Sequence, residues 1–460
     1  MVERAAPVKA GYDRAMTSLD ETTATAILGL DTLWGGDVLD PSGAGRFIAD
    51  SWFSDEPLPA AYTHPSAARL RRSGGVAGTE IDPAAVDAYL AEVDVPGAVR
   101  DLSARSRALG GLRGAYLEGV AGSLEVMWDL ALERLGRGPA VPFERCVKAS
   151  CGEAPSPSRP EEKRLRVAGL LARAGHPSGT PGELLAAVES WREQRLVPRR
   201  SIQQLGDAFI AWLEEGTRRH LVPYLPASLH GVPRANVQFL PLEDAMFSGS
   251  MNYVGRARDE AGSPRYEATY ELNASLRISV PEFAQLVSHE VVPGHATTFA
   301  LAQGLYVRGR LGFEATVLTM NTRGAALSEG IANNAILMAF GVKEVSELPD
   351  EDLQIGTLLA HLQDDAKNQA SWLTWGEGRP RAEVAATLRA DYLVSAERAD
   401  KLSGAWGRHP LLGRMYLPAY RAGTERVAAL RRAHPPERII PALYCVNGLV
   451  DLVTIDQVLG

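Results

Sequence analysis

The sequence has few cysteines, no long basic run and no long apolar segment, and each absence excludes a class of protein. Its three cysteines, Cys146, Cys151 and Cys445, cannot all pair within one chain and do not have the spacing of a zinc cluster, which favours a reducing compartment. The net charge of −8 argues against a nucleic-acid surface. No stretch reaches the ~18 uninterrupted apolar residues of a membrane helix, and residues 1–21 contain no apolar core of a signal peptide. We therefore expect a cytoplasmic protein with neither a nucleic-acid nor a membrane partner.

Hydrophobic periodicity predicts a mainly α-helical fold. Apolar residues recur at three- and four-residue spacing in four segments: Pro83–Val95, Val99–Gly138, Pro160–Gly175 and Gly182–Leu196. Thr180-Pro181 has the pattern of an N-cap and first helical residue for the last of these. Strand-like patterns are confined to a short region that predicts a small sheet: Val237–Leu240, Arg265–Leu272 and Ala274–Ile278.

The densest chemistry of the chain lies at residues 289–295, His-Glu-Val-Val-Pro-Gly-His, directly after the helical run Val280–Ser288. Imidazole nitrogen is a favoured ligand of Zn²⁺, and a glutamate beside the first histidine can accept a proton from metal-bound water. The alternative is chance proximity, since nine histidines occur in the chain and Pro-Gly is common between helices. The segment therefore predicts a catalytic zinc site, provided that its two histidines meet.

The spacing of these histidines requires a bend. In the usual His-Glu-x-x-His motif the two imidazoles lie four residues apart and share one helix face. Here they lie six residues apart, about 240° around the axis of a regular helix. Pro293 removes a helical hydrogen bond, and Gly294 permits conformations that are closed to other residues. We expect a kink or bulge there to turn His295 back toward His289.

A third ligand is expected downstream, because catalytic zinc is often held by two histidines and a glutamate. Residues 325–341, AALSEGIANNAILMAFG, form an apolar helical pattern that contains Glu329. A carboxylate within such a run is costly to bury unless it is paired or bound to a metal. The alternative places Glu329 on a solvated stripe with Asn333 and Asn334.

These residues together resemble a family. His289-Glu290-x-x-Pro293-Gly294-His295, followed by Glu329-Gly330-x-Ala332, is similar to bacterial zinc-peptidase-like proteins with a His-Glu-x-x-Pro-Gly-His-His signature. That family was long regarded as a domain of unknown function and is similar to gluzincin metallopeptidases. A further match is Ala419-Tyr420-Arg421-Ala422-Gly423, followed by Leu430-Arg431. The resemblance covers about the second half of the chain, from near Asn252 to Arg431.

Three positions depart from the family pattern. Ala296 stands at the family's second consecutive histidine, and Ile331 stands at the tryptophan of its Glu-Gly-Trp-Ala motif. Ser371–Trp375 stands where family members often carry Asp-x-Gly-Leu-His. We therefore expect zinc ligation to match the family and substrate recognition to differ from that of its general peptidase members.

The resemblance and the chemistry of the side chains imply the same roles. His289, His295 and Glu329 would bind Zn²⁺ and leave one position open for water. Glu290 would accept a proton from that water and pass it to the leaving group. Tyr420 would donate a hydrogen bond to the oxyanion of a tetrahedral intermediate. The alternative for Tyr420 is a tyrosine that anchors one helix against another.

Four residues are predicted to bind substrate: Asn252, Tyr253, Tyr270 and Arg277. In gluzincin-like enzymes an edge strand pairs with the substrate backbone, and this analogy places Tyr270–Arg277 beside the cleft. Arginine suits a substrate carboxylate through its bidentate fork. The alternative for Asn252, Tyr253 and Arg277 is an ordinary surface position. Asp364-Asp365 could supply a carboxylate that orients a zinc-bound imidazole, or could lie at a solvated helix end.

Taken together, the sequence predicts a mainly α, gluzincin-like helical metallohydrolase with a small β-sheet bordering the active-site cleft. We place an N-terminal helical portion that covers the cleft at residues 1–230 and the catalytic zinc-binding portion at residues 231–460. The expected reaction is zinc-dependent cleavage of an amide or peptide bond in a peptide or a small, modified molecule. The alternatives are a zinc-dependent lyase or acyl-transfer enzyme of specialised metabolism, and a non-catalytic helical binding protein. Glu290 argues against the last, because a structural zinc site has no use for a general base.

Overall fold

The computed structural model describes residues 18–35, 38–40, 48–50, 52–53, 59–73, 81–242, 249–273 and 277–460, and these confirm a mainly α-helical fold. The helices are α1 (Ser18–Trp34), α2 (Ala60–Thr63), α3 (Pro65–Ser73), α4 (Pro83–Glu92), α5 (Val95–Leu109), α6 (Gly111–Arg134), α7 (Phe143–Cys151), α8 (Glu161–Arg173), α9 (Pro181–Gln194), α10 (Ile202–His220), α11 (Val280–Glu290), α12 (His295–Tyr306), α13 (Arg323–Asn333), α14 (Ala335–Ala339), α15 (Glu351–Ser371), α16 (Arg381–Tyr392), α17 (Ala396–Ser403), α18 (Ala405–Arg408), α19 (Leu417–Ala433), α20 (Pro436–Tyr444) and α21 (Asp456–Leu459). The strands are β1 (Ala49–Asp50), β2 (Val237–Leu242), β3 (Gly249–Tyr253), β4 (Ala268–Asn273) and β5 (Leu318–Thr319). Within these ranges, no helix combines the length and the apolar character needed to cross a bilayer.

Local sequence signals explain where several helices begin and end. The predicted N-cap at Thr180 is confirmed, because its hydroxyl accepts a hydrogen bond from the Glu183 amide and the Glu183 side chain accepts one from the Thr180 amide. The continuous helix predicted over Val99–Gly138 is instead two helices, α5 and α6. They are separated at Gly110 and Gly111, each with φ +62°, a backbone conformation that favours glycine.

The small sheet that precedes α11 has the strand order β2–β4–β3. β2 runs parallel to β4, and β3 runs antiparallel to it, with Met251 opposite Tyr270. The strand patterns predicted at Val237–Leu240 and Arg265–Leu272 correspond to β2 and β4. Residues 274–276 of the third predicted strand lie outside the described residues. Because β4 is central among the described strands, Tyr270–Asn273 do not lie on an edge strand, contrary to the prediction; β3, which is an edge strand, contacts α11.

The apolar residues of the described chain form two cores. One core draws its residues from the segment 24–146, together with Phe313, Val317, Leu411 and Met415. The other contains Phe53 and the buried apolar residues from Val147 onward that lie outside the first core. Helices α8 to α10 therefore pack with the half that carries the His-Glu segment. The boundary predicted at residue 230 stays a prediction.

A buried carboxyl group in the first core gives the stability a specific pH dependence. Asp31 on α1 is 5% exposed, and its Oδ1 accepts hydrogen bonds from the amides of Ile48, at 2.6 Å, and Ala49, at 3.0 Å. Burial outweighs these two bonds and raises the pKa of Asp31 to about 6. The folded protein therefore holds this proton more tightly than the unfolded chain does, and the stability contributed by Asp31 falls as the pH rises from about 4 to about 6.

We expect Asp31→Asn to remove this dependence, because asparagine keeps an acceptor oxygen and carries no charge. Relative to wild type, the variant should gain about 2 kcal/mol in free energy of unfolding between pH 4.5 and pH 7.5. Urea unfolding of both proteins at the two pH values measures this difference. Asp82→Asn, at an exposed N-cap where both residues cap well, serves as the control. An equal stability difference at both pH values would contradict the prediction.

Candidate metal centre

The chain turns sharply between the two histidines of the His-Glu segment. α11 ends at Glu290 and α12 begins at His295, and the peptide bond before Pro293 is cis. The ring centroids of His289 and His295 lie 4.8 Å apart, with the ring planes at 89°. Gly294 allows this approach, because a Cβ atom there would lie 1.8 Å from the carbonyl oxygen of His289. The bend therefore places side by side two imidazoles that a regular helix would separate.

Glu329 reaches the same point from α13, where it is 4% exposed. Its Oε2 lies 3.5 Å from Nε2 of His289, and its Oε1 lies 3.8 Å from Nε2 of His295. The possible ligand atoms of the three residues all lie within 4.8 Å of one another. Two ligands bound tetrahedrally to Zn²⁺ at about 2.1 Å are separated by roughly 3.4 Å. The three side chains therefore lie close enough together, with suitable donor atoms, that they could hold a metal ion.

Burial governs the protonation of these groups. Burial, and then the neighbouring His295, hold the pKa of His289 well below its usual range, and burial lowers the pKa of His295 to about 4. Both imidazoles are therefore neutral at pH 7, the form that binds a metal. Burial, and then the nearby Glu329 carboxylate, raise the pKa of Glu290 well above its usual range. A strongly raised carboxyl pKa is a common property of groups that accept and return protons.

A series of polar side chains orients His289. Its Nδ1 lies 2.7 Å from Oδ1 of Asn333. Because an amide oxygen only accepts, the imidazole carries its proton on Nδ1 and leaves Nε2 available for a metal. Nδ2 of Asn333 donates to the Thr424 hydroxyl at 2.8 Å, and that hydroxyl lies 3.1 Å from Oδ2 of Asp364. Asp364 is 3% exposed within α15, so the interpretation of this carboxylate as a solvated helix end is wrong.

Two tyrosines form a chain of hydrogen bonds that ends at Glu329. Tyr416, in the π-helical turn Leu412–Tyr416 before α19, donates a hydrogen bond to Oε1 of Glu329 at 2.5 Å. The Tyr420 hydroxyl donates to that of Tyr416 at 3.2 Å. Tyr420 is therefore joined to Glu329 through a second phenol.

A close contact between α13 and α19 sets these phenols against Glu329. A Cβ atom on Gly330 would lie 2.3 Å from the carbonyl oxygen of Gly423, and one on Gly423 would lie 2.0 Å from that of Ala326. The two glycines belong to the Glu-Gly and Ala-Tyr-x-x-Gly segments of the sequence. The chain thus uses both segments to build a single packing contact, because only glycine lets the two helices approach so closely.

A cavity of about 250 Å³ borders the two adjacent residues His289 and Glu290. Asn333 and Tyr420 also line it. The Glu290 carboxylate accepts a hydrogen bond from the backbone amide of Met251 on β3, which fixes it at the edge of the sheet. Four basic residues contribute to the same wall: Arg192, Arg277, Lys367 and Arg398.

The predicted substrate-binding residues lie at different depths. Arg277 lines the cavity, although its side chain is 70% exposed and it pairs with Glu193. Tyr253 is buried, and its hydroxyl donates to Oε1 of Gln303 at 2.7 Å, a position that suits packing rather than contact with a substrate. Asn252 is its half-buried neighbour on β3 and is not among the described residues that line the cavity.

Tyr270, the fourth predicted substrate-binding residue, is fully buried on the central strand β4. It lies behind Gly249 of the cavity wall, where a Cβ atom would be 3.0 Å from the Tyr270 hydroxyl. Its ring makes an edge-to-face contact with Phe239 at 5.3 Å. This position supports the cavity wall from beneath instead of offering the phenol to a ligand.

Reasoning from the sequence missed four residues that adjoin the site: Asn333, Tyr416, Lys367 and Arg398. Asn333 follows Glu329 by four residues, and Tyr416 precedes Tyr420 by four. Side chains at that spacing share a helix face, so the periodicity contained a signal for the first two. Lys367 and Arg398 come from α15 and α17, and no local pattern relates either residue to the His-Glu segment.

No family model and no curated protein matches the sequence. Among solved structures, the chain is similar to a "putative lipoprotein" from Colwellia psychrerythraea, with 15% identity and a TM-score of 0.49 over 79% of this chain and 66% of that one. It is also similar to a "putative lipoprotein of unknown function" from Shewanella oneidensis, with 14% identity and a TM-score of 0.46 over 81% of this chain and 71% of that one. The chain thus spans just under two thirds of the first of these proteins.

Proposed function

We propose that the protein is a cytoplasmic zinc-dependent hydrolase that cleaves an amide bond in a small or modified substrate. The observation that carries this proposal is the convergence of His289, His295 and Glu329 within 4.8 Å, with Glu290 beside them in the wall of a cavity. The donor set is that of catalytic zinc sites, which use three protein ligands, whereas structural sites are closed by four. The resemblance to the zinc-peptidase-like family remains part of this proposal, and it rests on the same residues.

The chain's own groups suggest how the reaction proceeds. Zn²⁺ bound by the three ligands would polarise an acyl carbonyl and lower the pKa of a water molecule to about 7. Glu290, fixed by the Met251 amide, accepts the proton of the attacking water. Water adds to the acyl carbon, the C–N bond breaks, and Glu290 returns the proton to the leaving nitrogen. The products are a carboxylic acid and an amine.

The two tyrosines take separate roles in this proposal. Tyr420 lines the cavity, and in this proposal its hydroxyl proton, which is directed at Tyr416 in this structure, turns to the oxyanion formed on the acyl carbon. Tyr416 is buried and bonded to Oε1 of Glu329, so it fixes the orientation of that ligand. In this arrangement Tyr416 positions the Glu329 carboxylate, and Tyr420 acts on the substrate.

The experiment that tests the proposal is the zinc content of the purified protein beside His295→Ala and Glu329→Ala. We expect close to one zinc per chain in the wild type. Each variant should bind zinc at least about 100-fold more weakly, because even changes to groups behind the ligands cost about 10–100-fold. Elemental analysis after dialysis and a competition titration with a chelator measure both quantities.

His176→Ala is the matched control, because His176 is buried and lies outside the three-residue cluster. It should retain zinc. A wild-type protein without zinc, or zinc that is indifferent to both ligand substitutions, would overturn the proposed function.

A further inference from the structure

Three of the four basic residues in the cavity wall have carboxylate partners: Arg192, Arg277 and Lys367. Arg192 forms a bidentate pair with Glu282, with nitrogen–oxygen distances of 2.7 Å to Oε1 and 3.1 Å to Oε2. Arg277 pairs with Glu193, and both side chains are more than half exposed. The guanidinium group of Arg192 is therefore occupied by Glu282, and that of Arg277 is largely exposed to solvent. Neither is a good candidate for holding a substrate inside the cavity.

Lys367 and Arg398 line the same wall as Tyr420. The Lys367 ammonium lies 3.2 Å from the centroid of the Tyr420 ring, and the Lys367 side chain is 14% exposed. Arg398 enters the same wall from α17, with its guanidinium carbon 5.6 Å from the centroid of the Trp406 ring. Lys367 thus packs on the phenol ring assigned to the oxyanion, and Arg398 lines the same cavity wall.

Lys367 retains donor capacity for a ligand. Oδ1 of Asp364 lies 3.2 Å from the Lys367 nitrogen, and an ammonium group carries three N–H donors. The other oxygen of Asp364 is 3.1 Å from Thr424, in the series of polar groups that leads to His289. The cation is therefore held in place by the same groups that orient a metal ligand.

We propose that Lys367 and Arg398 bind a carboxylate of the substrate, so that the enzyme hydrolyses small amides that carry a free carboxylate close to the scissile bond. This inference rests on the proposed function. A carbonyl placed beside Glu290 and Tyr420 would put the next part of the substrate against the two cations, where charge-assisted hydrogen bonds to a carboxylate are strong. The cavity of about 250 Å³ lies below the roughly 300–1,000 Å³ typical of pockets for drug-sized ligands, which favours a small substrate.

The test compares two probes that bind zinc in the same way and differ only in charge. One is the monohydroxamic acid of succinic acid, which has a free carboxylate, and the other is its carboxamide counterpart. Isothermal titration of zinc-loaded protein should show the carboxylate probe binding about tenfold more tightly, the gain expected from hydrogen bonds to a charged group. Lys367→Met should abolish this preference, and Arg398→Gln should reduce it.

Lys148→Met removes the same charge from an exposed position on α7 and should keep the preference. Binding of the carboxamide probe to Lys367→Met with the wild-type dissociation constant shows that fold and zinc are intact in that variant. Should Lys367→Met fail to fold, the half-buried Arg398→Gln supplies the same comparison.

Equal affinity of the two probes for the wild type would overturn the carboxylate site while leaving the zinc site standing. A preference that persists in both Lys367→Met and Arg398→Gln would assign the carboxylate to another cation and would also overturn the inference. Binding of neither probe, in protein that contains no zinc, would overturn the proposed function, and the inference would fall with it.

Discussion

Replacing Gly294 by alanine is expected to abolish zinc binding and to lower the free energy of unfolding by about 3 kcal/mol. The added Cβ atom would lie 1.8 Å from the carbonyl oxygen of His289 and 2.5 Å from that of Ser288. Both neighbours are backbone atoms of α11, so the clash cannot be relieved by rotating a side chain. Either the last turn of α11 or the first turn of α12 has to move, and each carries one of the two histidine ligands, His289 or His295.

Gly122→Ala is the matched control for this substitution. Gly122 lies within α6, and a Cβ atom there would meet no other atom within 4 Å. Alanine is a better helix former than glycine, so this variant should gain about 0.5–1 kcal/mol and keep its zinc. Chemical unfolding and zinc content of the two variants, measured beside the wild type, give the comparison. Wild-type zinc affinity in Gly294→Ala would show that the bend does not position the histidines.

The sequence predicted much of this centre because its residues lie in short, distinctive segments. His289 and Glu290 end a helix with clear apolar spacing, and Pro293 and Gly294 predict the bend that follows it. Glu329 was predicted as a ligand because a carboxylate within an apolar helix is costly to bury unless it is paired or bound to a metal. The sequence also predicted the small sheet ahead of α11, since β2 and β4 carry the alternation or β-forming residues that strands require.

What the sequence did not predict depends on contacts between distant segments. Tyr416 precedes the helix that carries Tyr420, and only the packing of α19 on α13 assigns its phenol to Glu329. The alternative to a metal ligand at Glu329 placed Asn333 on a solvated stripe, yet Asn333 is buried against His289 and Thr424. Periodicity identifies which residues share a face, and it carries no information about which other helix that face meets.

The edge strand was missed for a different reason. β3 has the sequence Gly-Ser-Met-Asn-Tyr, in which glycine and asparagine are poor strand formers. Pairing with β4 imposes the extended conformation, and the Met251 amide then becomes the donor that holds the Glu290 carboxylate. Tertiary pairing thus overrode local propensity at a segment that adjoins the site.

Glu290→Gln is expected to lower kcat/KM by about 10²–10⁴-fold without changing zinc content, the range over which a positioned proton acceptor acts. Glutamine keeps the shape of the side chain and an oxygen that can accept the Met251 hydrogen bond, but it cannot take a proton from water. Glu290 is outside the three-residue ligand cluster, so metal binding should persist. The measurement uses a carboxylate-bearing amide found by screening zinc-loaded wild-type protein, with elemental analysis of the same samples.

The same substitution at an exposed position separates the loss of a base from the loss of a charge. Glu125→Gln on α6, where the glutamate side chain is 65% exposed, should retain wild-type turnover. Loss of zinc from Glu290→Gln would instead make Glu290 part of the metal site and would require a different proton acceptor. Full activity in zinc-bound Glu290→Gln would show that water is activated without this carboxylate. Only the combination of lost activity and retained zinc in Glu290→Gln fits a hydrolase in which Glu290 is the base and the metal ion supplies positive charge.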